Sequence, residues 1–191
     1  MRFVLALTCL TMLLAVPASA QTDPYTDACG VYFDQGATVN CATAPVGMID
    51  AYVVLTHLTS VGIRAWEMKL EVLGGGVLGN MAFSGLAINA TTPPEYSVGL
   101  GEAIYGNPIV VATMSVYVSS VEMPVEFMIS GIRFSSVDPR APNYVDSEDI
   151  GIIKVLRQST GGPDVPVATI NGDCVVGAEN ETWSGVKSLF R

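Results

Sequence analysis

Apolar side chains recur at every second position in most segments of this chain, and this alternation limits the fold more than any other feature. The best example is segment 62–73. One face of it carries Trp66, Met68, Leu70 and Val72, and the other carries Ala65, Glu67, Lys69 and Glu71. Side chains of a β-strand point alternately to its two faces, so this pattern predicts a strand with one face in a core and one in water.

Further strand-like runs predict an all-β domain. They cover segments 51–57, 80–90, 96–100, 109–118, 125–134, 150–156 and 165–170. We expect a bulge near Gly85 and another near Gly131, because the apolar parity changes at each. Glycine, proline and asparagine clusters separate the runs, and no helical segment intervenes. The fold predicted is an antiparallel β-sandwich, immunoglobulin-like or jelly-roll-like, with about eight strands.

The N-terminus has the layout of a secretory signal peptide. Arg2 precedes an apolar run from Phe3 to Val16, which Pro17 ends, and Ala18-Ser19-Ala20 supplies small residues for cleavage. The run is shorter than the roughly 20 residues that cross a bilayer, and no later segment predicts a membrane span. The sequence thus divides into a signal peptide at 1–20, a sandwich domain at 21–178 and a tail at 179–191. It predicts a secreted, periplasmic or cell-envelope protein.

The charge balance excludes some partners. The chain has 18 acidic and 9 basic residues and a formal net charge of −9. Nucleic acid and anionic membrane surfaces carry the same sign of charge, so neither is an expected partner.

Three cysteines follow the predicted cleavage site, namely Cys29, Cys41 and Cys174. An exported protein can form disulfides. Cys29 and Cys41 are the nearest pair along the chain and are the favoured bridge. Pairing of either with Cys174 would instead join the two ends of the domain, and three reduced thiols remain a further alternative.

No pattern in the chain predicts catalysis. The single histidine, His57, lies at the end of an apolar strand with no Gly-x-Ser-x-Gly motif in the sequence, and no cysteine pair has zinc-site spacing. The run Gly74 to Gly79 matches a dinucleotide-binding pattern in letters, but a strand rather than a helix follows it. We therefore expect no enzyme and no cofactor.

The densest acidic cluster could hold a metal ion, which is the one alternative to the expectation of no cofactor. Asp146, Glu148 and Asp149 lie close together in a loop. Loop carboxylates can hold calcium, which binds six to eight oxygens, although the spacing is not that of an EF-hand. A solvated acidic loop is the favoured interpretation, and a calcium site is the alternative.

Aromatic residues supply the candidate binding face. Tyr117 lies on the face of its strand opposite Val116 and Val118, together with Thr113 and Ser115. Small polar neighbours beside an aromatic ring suit a binding face, and they suit an ordinary solvent face equally well. Trp183, in the tail, is the other candidate: the tail either docks on its own domain or acts as a recognition or sorting element.

Three short segments resemble a known group of proteins. They are Gly30-Val31-Tyr32-Phe33-Asp34, Ala51-Tyr52-Val53-Val54-Leu55-Thr56 and Gly62-Ile63-Arg64-Ala65-Trp66-Glu67. They are similar to short secreted bacterial proteins with uncharacterised β-sandwich domains, loosely similar to cohesin and carbohydrate-binding sandwiches. The ending from Thr182 to Arg191 resembles a C-terminal segment that recurs among such proteins. The resemblance implies a bacterial envelope or extracellular setting and assigns no catalytic residue.

These observations lead to one expected function and two alternatives. The expected function is a secreted, non-catalytic sandwich that binds a protein or a glycan at the cell surface. The first alternative is an extracellular structural subunit that self-associates through strand edges or the Trp183 tail. The second is a secreted hydrolase whose carboxylates come together only in the fold.

Overall fold

The computed structural model describes residues 25–137 and 141–174, and none of these residues is helical. Consequently, no helix in the described part of the chain could cross a membrane. The strands are β1 (Ala28–Tyr32), β2 (Cys41–Ala42), β3 (Gly47–Thr56), β4 (Gly62–Gly74), β5 (Gly76–Phe83), β6 (Ala87–Asn89), β7 (Glu95–Tyr105), β8 (Ile109–Val118), β9 (Val125–Ser130), β10 (Asn143–Asp146), β11 (Ile153–Val155), β12 (Arg157–Gln158) and β13 (Ala168–Ile170).

The strands form two packed sheets. Sheet A has the order β12-β1-β3-β8-β5. Sheet B has the order β11-β10-β4-β9-β13-β2, and β7 pairs with the other edge of β4 and carries β6 beyond it. The predicted all-β sandwich is confirmed. The sheets are mixed rather than purely antiparallel, because β12 runs parallel to β1 and β2 runs parallel to β13.

The alternation in segment 62–73 marks the core as expected. Trp66, Met68 and Leu70 of β4 are almost completely buried between the sheets. The Trp66 ring contacts Phe83 and Tyr96 at centroid distances of 5.8 Å and 6.3 Å. Burial of such large apolar side chains is the main favourable contribution to folding.

The glycines after β4 make the crossing between the sheets rather than a hairpin loop. Gly74 has a φ of 74°, and a Cβ on it would collide with the Pro124 carbonyl oxygen. A Cβ on Gly75 would lie 2.6 Å from the Met123 carbonyl oxygen. Only glycine allows the chain to turn here against segment 123–125, so β4 can end in sheet B and β5 can begin in sheet A.

Neither bulge takes the predicted form. Segment 80–90 is not one strand with a bulge, because β5 ends in sheet A at Phe83 and β6 begins in sheet B at Ala87. Gly85, with a φ of 71°, lies in the turn between them. The change in the alternation of apolar residues near Gly85 therefore marks the point where the chain passes from sheet A to sheet B. Near Gly131 the strand simply ends, because β9 stops at Ser130 and segment 131–137 is a loop.

The favoured disulfide, Cys29–Cys41, is wrong. Cys41 is bonded to Cys174, with 5.3 Å between the two Cα atoms. The parallel pairing of β2 with β13 places Cys41 beside Thr169, just before Cys174. Cys29 instead lies on β1 in the other sheet and is buried in the core. Proximity along the chain was therefore a poor guide, because β1 and β2 belong to different sheets.

The predicted signal peptide at 1–20 and the tail at 179–191, including Trp183, lie outside the described residues.

Candidate functional site

The predicted binding residues share the solvent face of β8 in sheet A. Tyr117 is 43% exposed, and Ser115 and Thr113 are half-buried. Tyr117 stands in one row with Met48 of β3 and Val77 of β5, and both neighbours are exposed. The surroundings of the Tyr117 ring are thus apolar rather than polar.

The Ser115 hydroxyl, one of the polar groups near Tyr117, is already in use. Ser115 Oγ donates a hydrogen bond to Asp50 Oδ1 at 3.0 Å. Gly79 of the neighbouring strand β5 lies close to Ser115, since a Cβ on Gly79 would be 3.0 Å from the Ser115 carbonyl oxygen. A ligand site needs a few precisely placed polar groups, and at this face the Ser115 hydroxyl is taken up by Asp50.

The three acidic residues of the calcium alternative lie in and after β10, where Asp146 is already engaged by protein groups. Asp146 accepts hydrogen bonds from Ser60 Oγ and from the backbone N–H of Glu148 and Asp149, and Lys154 Nζ lies 3.3 Å from its Oδ2. The hydrogen bond from Ser60 is the main reason that the pKa of Asp146 falls to about 2. In the described part of the chain no three histidine, cysteine or carboxylate groups come together as metal ligands. Asp146 therefore organises its loop.

Asp146 belongs to a network that ties four segments together. Tyr144 OH donates to Asp27 Oδ1 and lies 3.3 Å from Ser60 Oγ. Burial and this bond to Asp27 raise the pKa of Tyr144. Lys154 Nζ donates to Ser60 Oγ at 2.7 Å. The network joins the start of β1, the β3–β4 turn, β10 and β11.

The Ser60–Lys154 contact resembles a nucleophile with a base, but its chemistry does not fit. A general base must be able to accept the serine proton. Here the Lys154 ammonium is ion-paired with Asp146, and the Ser60 hydroxyl donates to that same carboxylate. Ser60 is also only 8% exposed.

His57, the single histidine, is exposed at a turn with a φ of 51°, and its backbone N–H donates to Asn107.

The outer face of sheet B carries a feature that the sequence patterns did not reveal. One row of residues in register crosses five strands and contains only apolar residues and glycine. The row, called here the apolar row, is Ile88 of β6, Gly99 of β7, Ala65 of β4, Val145 of β10 and Ile153 of β11. Ile88 is 74% exposed, and a Cβ on Gly99 would meet nothing within 4 Å. The centre of the row is therefore flat, and both of its ends are apolar.

A loop is fixed across the same face beside the apolar row. Glu67 accepts hydrogen bonds from Ser136 N and Oγ, from Asn143 Nδ2 and from Ser97 Oγ, at 2.9–3.1 Å. Burial raises the pKa of Glu67, but these hydrogen bonds outweigh burial and leave that pKa below its usual value. Arg133 N donates to Glu95 Oε1 at 3.0 Å. Two carboxylates of sheet B thus hold loop 131–137.

This fixed loop presents Phe134 to solvent. Phe134 is 81% exposed, and the Arg133 guanidinium lies 5.3 Å from the centre of its ring. The sequence alternation placed Phe134 in a strand, so its exposure on a loop was not predicted. The parity change at Gly131 was the available signal, because it marks the end of β9.

Comparison with known proteins gives matches to solved structures alone. No protein-family model matches the chain, and no curated protein is similar to it in sequence. A cohesin from the scaffoldin B of Acetivibrio cellulolyticus, solved with a dockerin, is 12% identical with a TM-score of 0.49 and covers 78% of this chain and 100% of its own.

Two further solved structures are also cohesins. A non-cellulosomal cohesin from Archaeoglobus fulgidus is 8% identical with a TM-score of 0.45, and 75% of this chain and 89% of that chain are covered. A type I cohesin–dockerin complex from Clostridium thermocellum is 11% identical with a TM-score of 0.47, and the shares covered are 79% and 96%. These matches agree with the loose resemblance to cohesin sandwiches seen in the sequence. The assignment of an all-β sandwich rests on the strands themselves.

Proposed function

We propose that this chain is an exported, non-catalytic binding module that docks a protein partner on the outer face of sheet B. The observation that carries the proposal is the apolar row from Ile88 to Ile153, which faces solvent across five strands. An outward face of a sheet in a single soluble domain is expected to be polar. Contiguous apolar surface of this kind is typical of protein interaction sites.

The shape of the face favours a protein over a small ligand. Gly99 and Ala65 at the centre of the row add almost no side-chain height, so a partner's backbone or small side chains can approach closely. Small ligands are bound in concave sites that bury most of their surface. A flat apolar strip offers contact area instead, which is what a protein partner uses.

Phe134 supplies an anchor beside that strip. Aromatic residues dominate the binding energy of many interfaces when they enter a pocket of the partner. Loop 131–137 is already held by Glu67 and Glu95, so little conformational entropy would be lost when Phe134 is immobilised. We expect Phe134 to be the side chain whose truncation weakens binding most.

The negative net charge of this chain indicates what charge its partner should carry. The chain has a net charge of −9 and a sequence pI near 4.4. A partner with basic residues around an apolar centre would be steered toward this module, and its association rate would fall as salt is added. An acidic partner would be repelled.

The compartment is part of the same proposal. The signal-like segment 1–20 directs the chain across a membrane, and the Cys41–Cys174 disulfide suits an oxidising compartment. These two features support a role at the cell surface or in the periplasm.

Site-specific crosslinking tests the docking face. A photo-reactive amino acid replaces Phe134 in one variant and Val46 in another. Val46 is 52% exposed and leads into β3 of sheet A. In envelope fractions of the source cell, the Phe134 variant should give a discrete crosslink to one exported protein, and the Val46 variant should not. Equal labelling from both positions would refute the assignment of the face.

Affinity measurements with the purified crosslinked partner complete the test. Ile153→Glu places a charge in the apolar row, and we expect it to weaken binding at least about 100-fold, or roughly 2.7 kcal/mol. Val46→Glu, which adds the same charge elsewhere, should change affinity less than about threefold. A glycan array tests the other ligand class, because glycan binding that Tyr117→Ala abolishes would contradict the protein-docking proposal.

A further inference from the structure

One side of the sandwich leaves the edges of both sheets unpaired within the described residues. Sheet A ends at β5, which pairs with β8 alone, and sheet B ends at β6, which pairs with β7 alone. Only the turn 84–86 separates the two strands along the chain, so both edges lie on the same side. This side, made of β5, β6 and the segments 84–86 and 90–94, is called the open side.

An apolar groove lies between the two edges. It has a volume of about 420 Å³, and its walls come from both sheets. The lining residues are Leu78, Gly79, Met81, Phe83, Asn89, Pro93 and Tyr96. Phe83 and Tyr96 belong to the aromatic cluster around Trp66, so the hydrophobic core reaches the surface at this groove.

The open side carries no charge at all. No acidic or basic residue occurs between Glu71 and Glu95, although the chain has 18 acidic and 9 basic residues. Val77, Leu86 and Ile88 are 58%, 77% and 74% exposed within this stretch. The chain segments that form the open side are thus uncharged in an otherwise acidic molecule.

The edge of β5 has little of the usual protection against strand pairing. Natural edge strands are commonly short or carry lysine, proline, inward-pointing charge or a β-bulge. β5 has eight residues, GVLGNMAF, with neither charge nor proline. Its one irregularity is a change of register between Leu78 and Met81. Its outer backbone N–H and C=O groups are a template for another strand.

We propose that the occupant is a second copy of this chain, paired antiparallel through β5 to form a symmetric dimer. Two copies with a net charge of −9 repel one another over most of their surfaces, and at the open side this like-charge contact is absent. A twofold axis through paired β5 strands would join the two five-stranded layers into one continuous sheet. A basic foreign partner would find no carboxylate here to pair with.

Dimer formation would also cover the groove. The twofold axis would run perpendicular to the joined sheet A, so the core-facing sides of both copies would lie on the same side of it. Leu78 and Met81 of one copy would then contact the same residues of the other copy on that core-facing side. The two grooves then form one enclosed apolar compartment. One pair of edge strands buries less than the ~1,600 Å² of a standard interface, so we expect a reversible dimer with a micromolar dissociation constant.

Sedimentation velocity on the exported form of the chain, without residues 1–20, over a range of protein concentrations, tests this proposal. The wild type should pass from monomer to dimer in the micromolar range. Val77→Lys places a charge on β5, and it should raise the dissociation constant at least about 30-fold. Val46→Lys is the matched control, since Val46 is 52% exposed and Val77 is 58% exposed, and it should dimerise as the wild type does.

Three results would overturn the proposal. The first is a wild type that stays monomeric up to about 500 µM. The second is an equal effect of Val46→Lys and Val77→Lys. The third is a dimer that Trp183→Ala abolishes, because the tail rather than β5 would then hold the copies together.

Separate measurements check that the variants fold and that the dimer contact lies at β5. Thermal unfolding of Val77→Lys should match that of Val46→Lys, and if Val77→Lys unfolds, Asn80→Lys in the same strand replaces it. Amide hydrogen exchange should slow in segment 76–83 as concentration rises. Unchanged exchange there in a dimerising sample would place the contact elsewhere. None of these measurements depends on the partner proposed for sheet B.

Discussion

Replacing Cys41 and Cys174 by alanine together should lower the free energy of unfolding by about 5 kcal/mol. The bond joins residues 133 positions apart, so in the unfolded chain it closes a very long loop. The chain-entropy relation gives about 5 kcal/mol for a loop of this length, compared with about 3 kcal/mol for the short loop that a Cys29–Cys41 bond would close. Residual structure in the unfolded chain reduces both values.

Urea unfolding followed by tryptophan fluorescence measures this loss. A loss of 3–5 kcal/mol is a large fraction of the roughly 5–15 kcal/mol by which a domain of this size is stable. We therefore expect the double variant to unfold at a much lower urea concentration. Wild-type protein treated with a reductant should behave in the same way as the variant.

Cys29→Ala is the control for loss of a cysteine without loss of the disulfide. Cys29 is buried on β1 outside the disulfide, so this variant removes one small buried side-chain group and keeps the loop closed. We expect a cost of about 1 kcal/mol. A Cys29→Ala loss equal to that of the double variant, or a double-variant loss below about 1 kcal/mol, would refute the reasoning.

Three further predictions concern stability and pH. Gly75→Ala should cost about 2 kcal/mol in thermal or urea unfolding, because its methyl group would meet the Met123 carbonyl oxygen, whereas Gly99→Ala, with open space at its Cβ, should cost less than about 0.5 kcal/mol. The lowered pKa of Glu67 means that its contribution is complete above about pH 4.5 and is lost as pH falls through that pKa. Hydrogen exchange of loop 131–137 should therefore rise on acidification, and in Glu67→Gln it should be fast at every pH. The pKa of Asp146, lowered to about 2, likewise predicts stability lost as pH falls from about 3.8 toward 2. Asp146→Asn should remove this part of the acid dependence, and an unchanged acid transition would contradict the role of its bond with Ser60.

The alternation of side chains predicted the long strands well. The predicted segment 109–118 coincides with β8, and segment 62–73 lies within β4. These strands have one face in the core and one in water, so period two is visible in their residues. The same pattern placed Tyr117, Ser115 and Thr113 on one solvent face.

Features that depend on which strands pair could not be predicted in the same way. Alternation does not say whether a run stays in one sheet, so the crossing between Phe83 and Ala87 was interpreted as a bulge. It does not give strand order either, and the parallel pairing of β2 with β13 decides which cysteine meets Cys41. The apolar row was missed for the same reason, since its residues come from five separate strands and none stands out alone.

The position of the disulfide also decides how the domain would respond to a pulling force. If the chain is held at its N-terminal side and pulled at its C-terminal end, tension passes from Cys174 straight to Cys41 through the covalent bond. The intervening strands are bypassed and cannot be drawn out lengthwise while that bond remains. Among the described residues, only the short stretch before Cys41, which contains β1, would peel away under load, so this part of the module would lengthen by a small, fixed amount and then resist further extension.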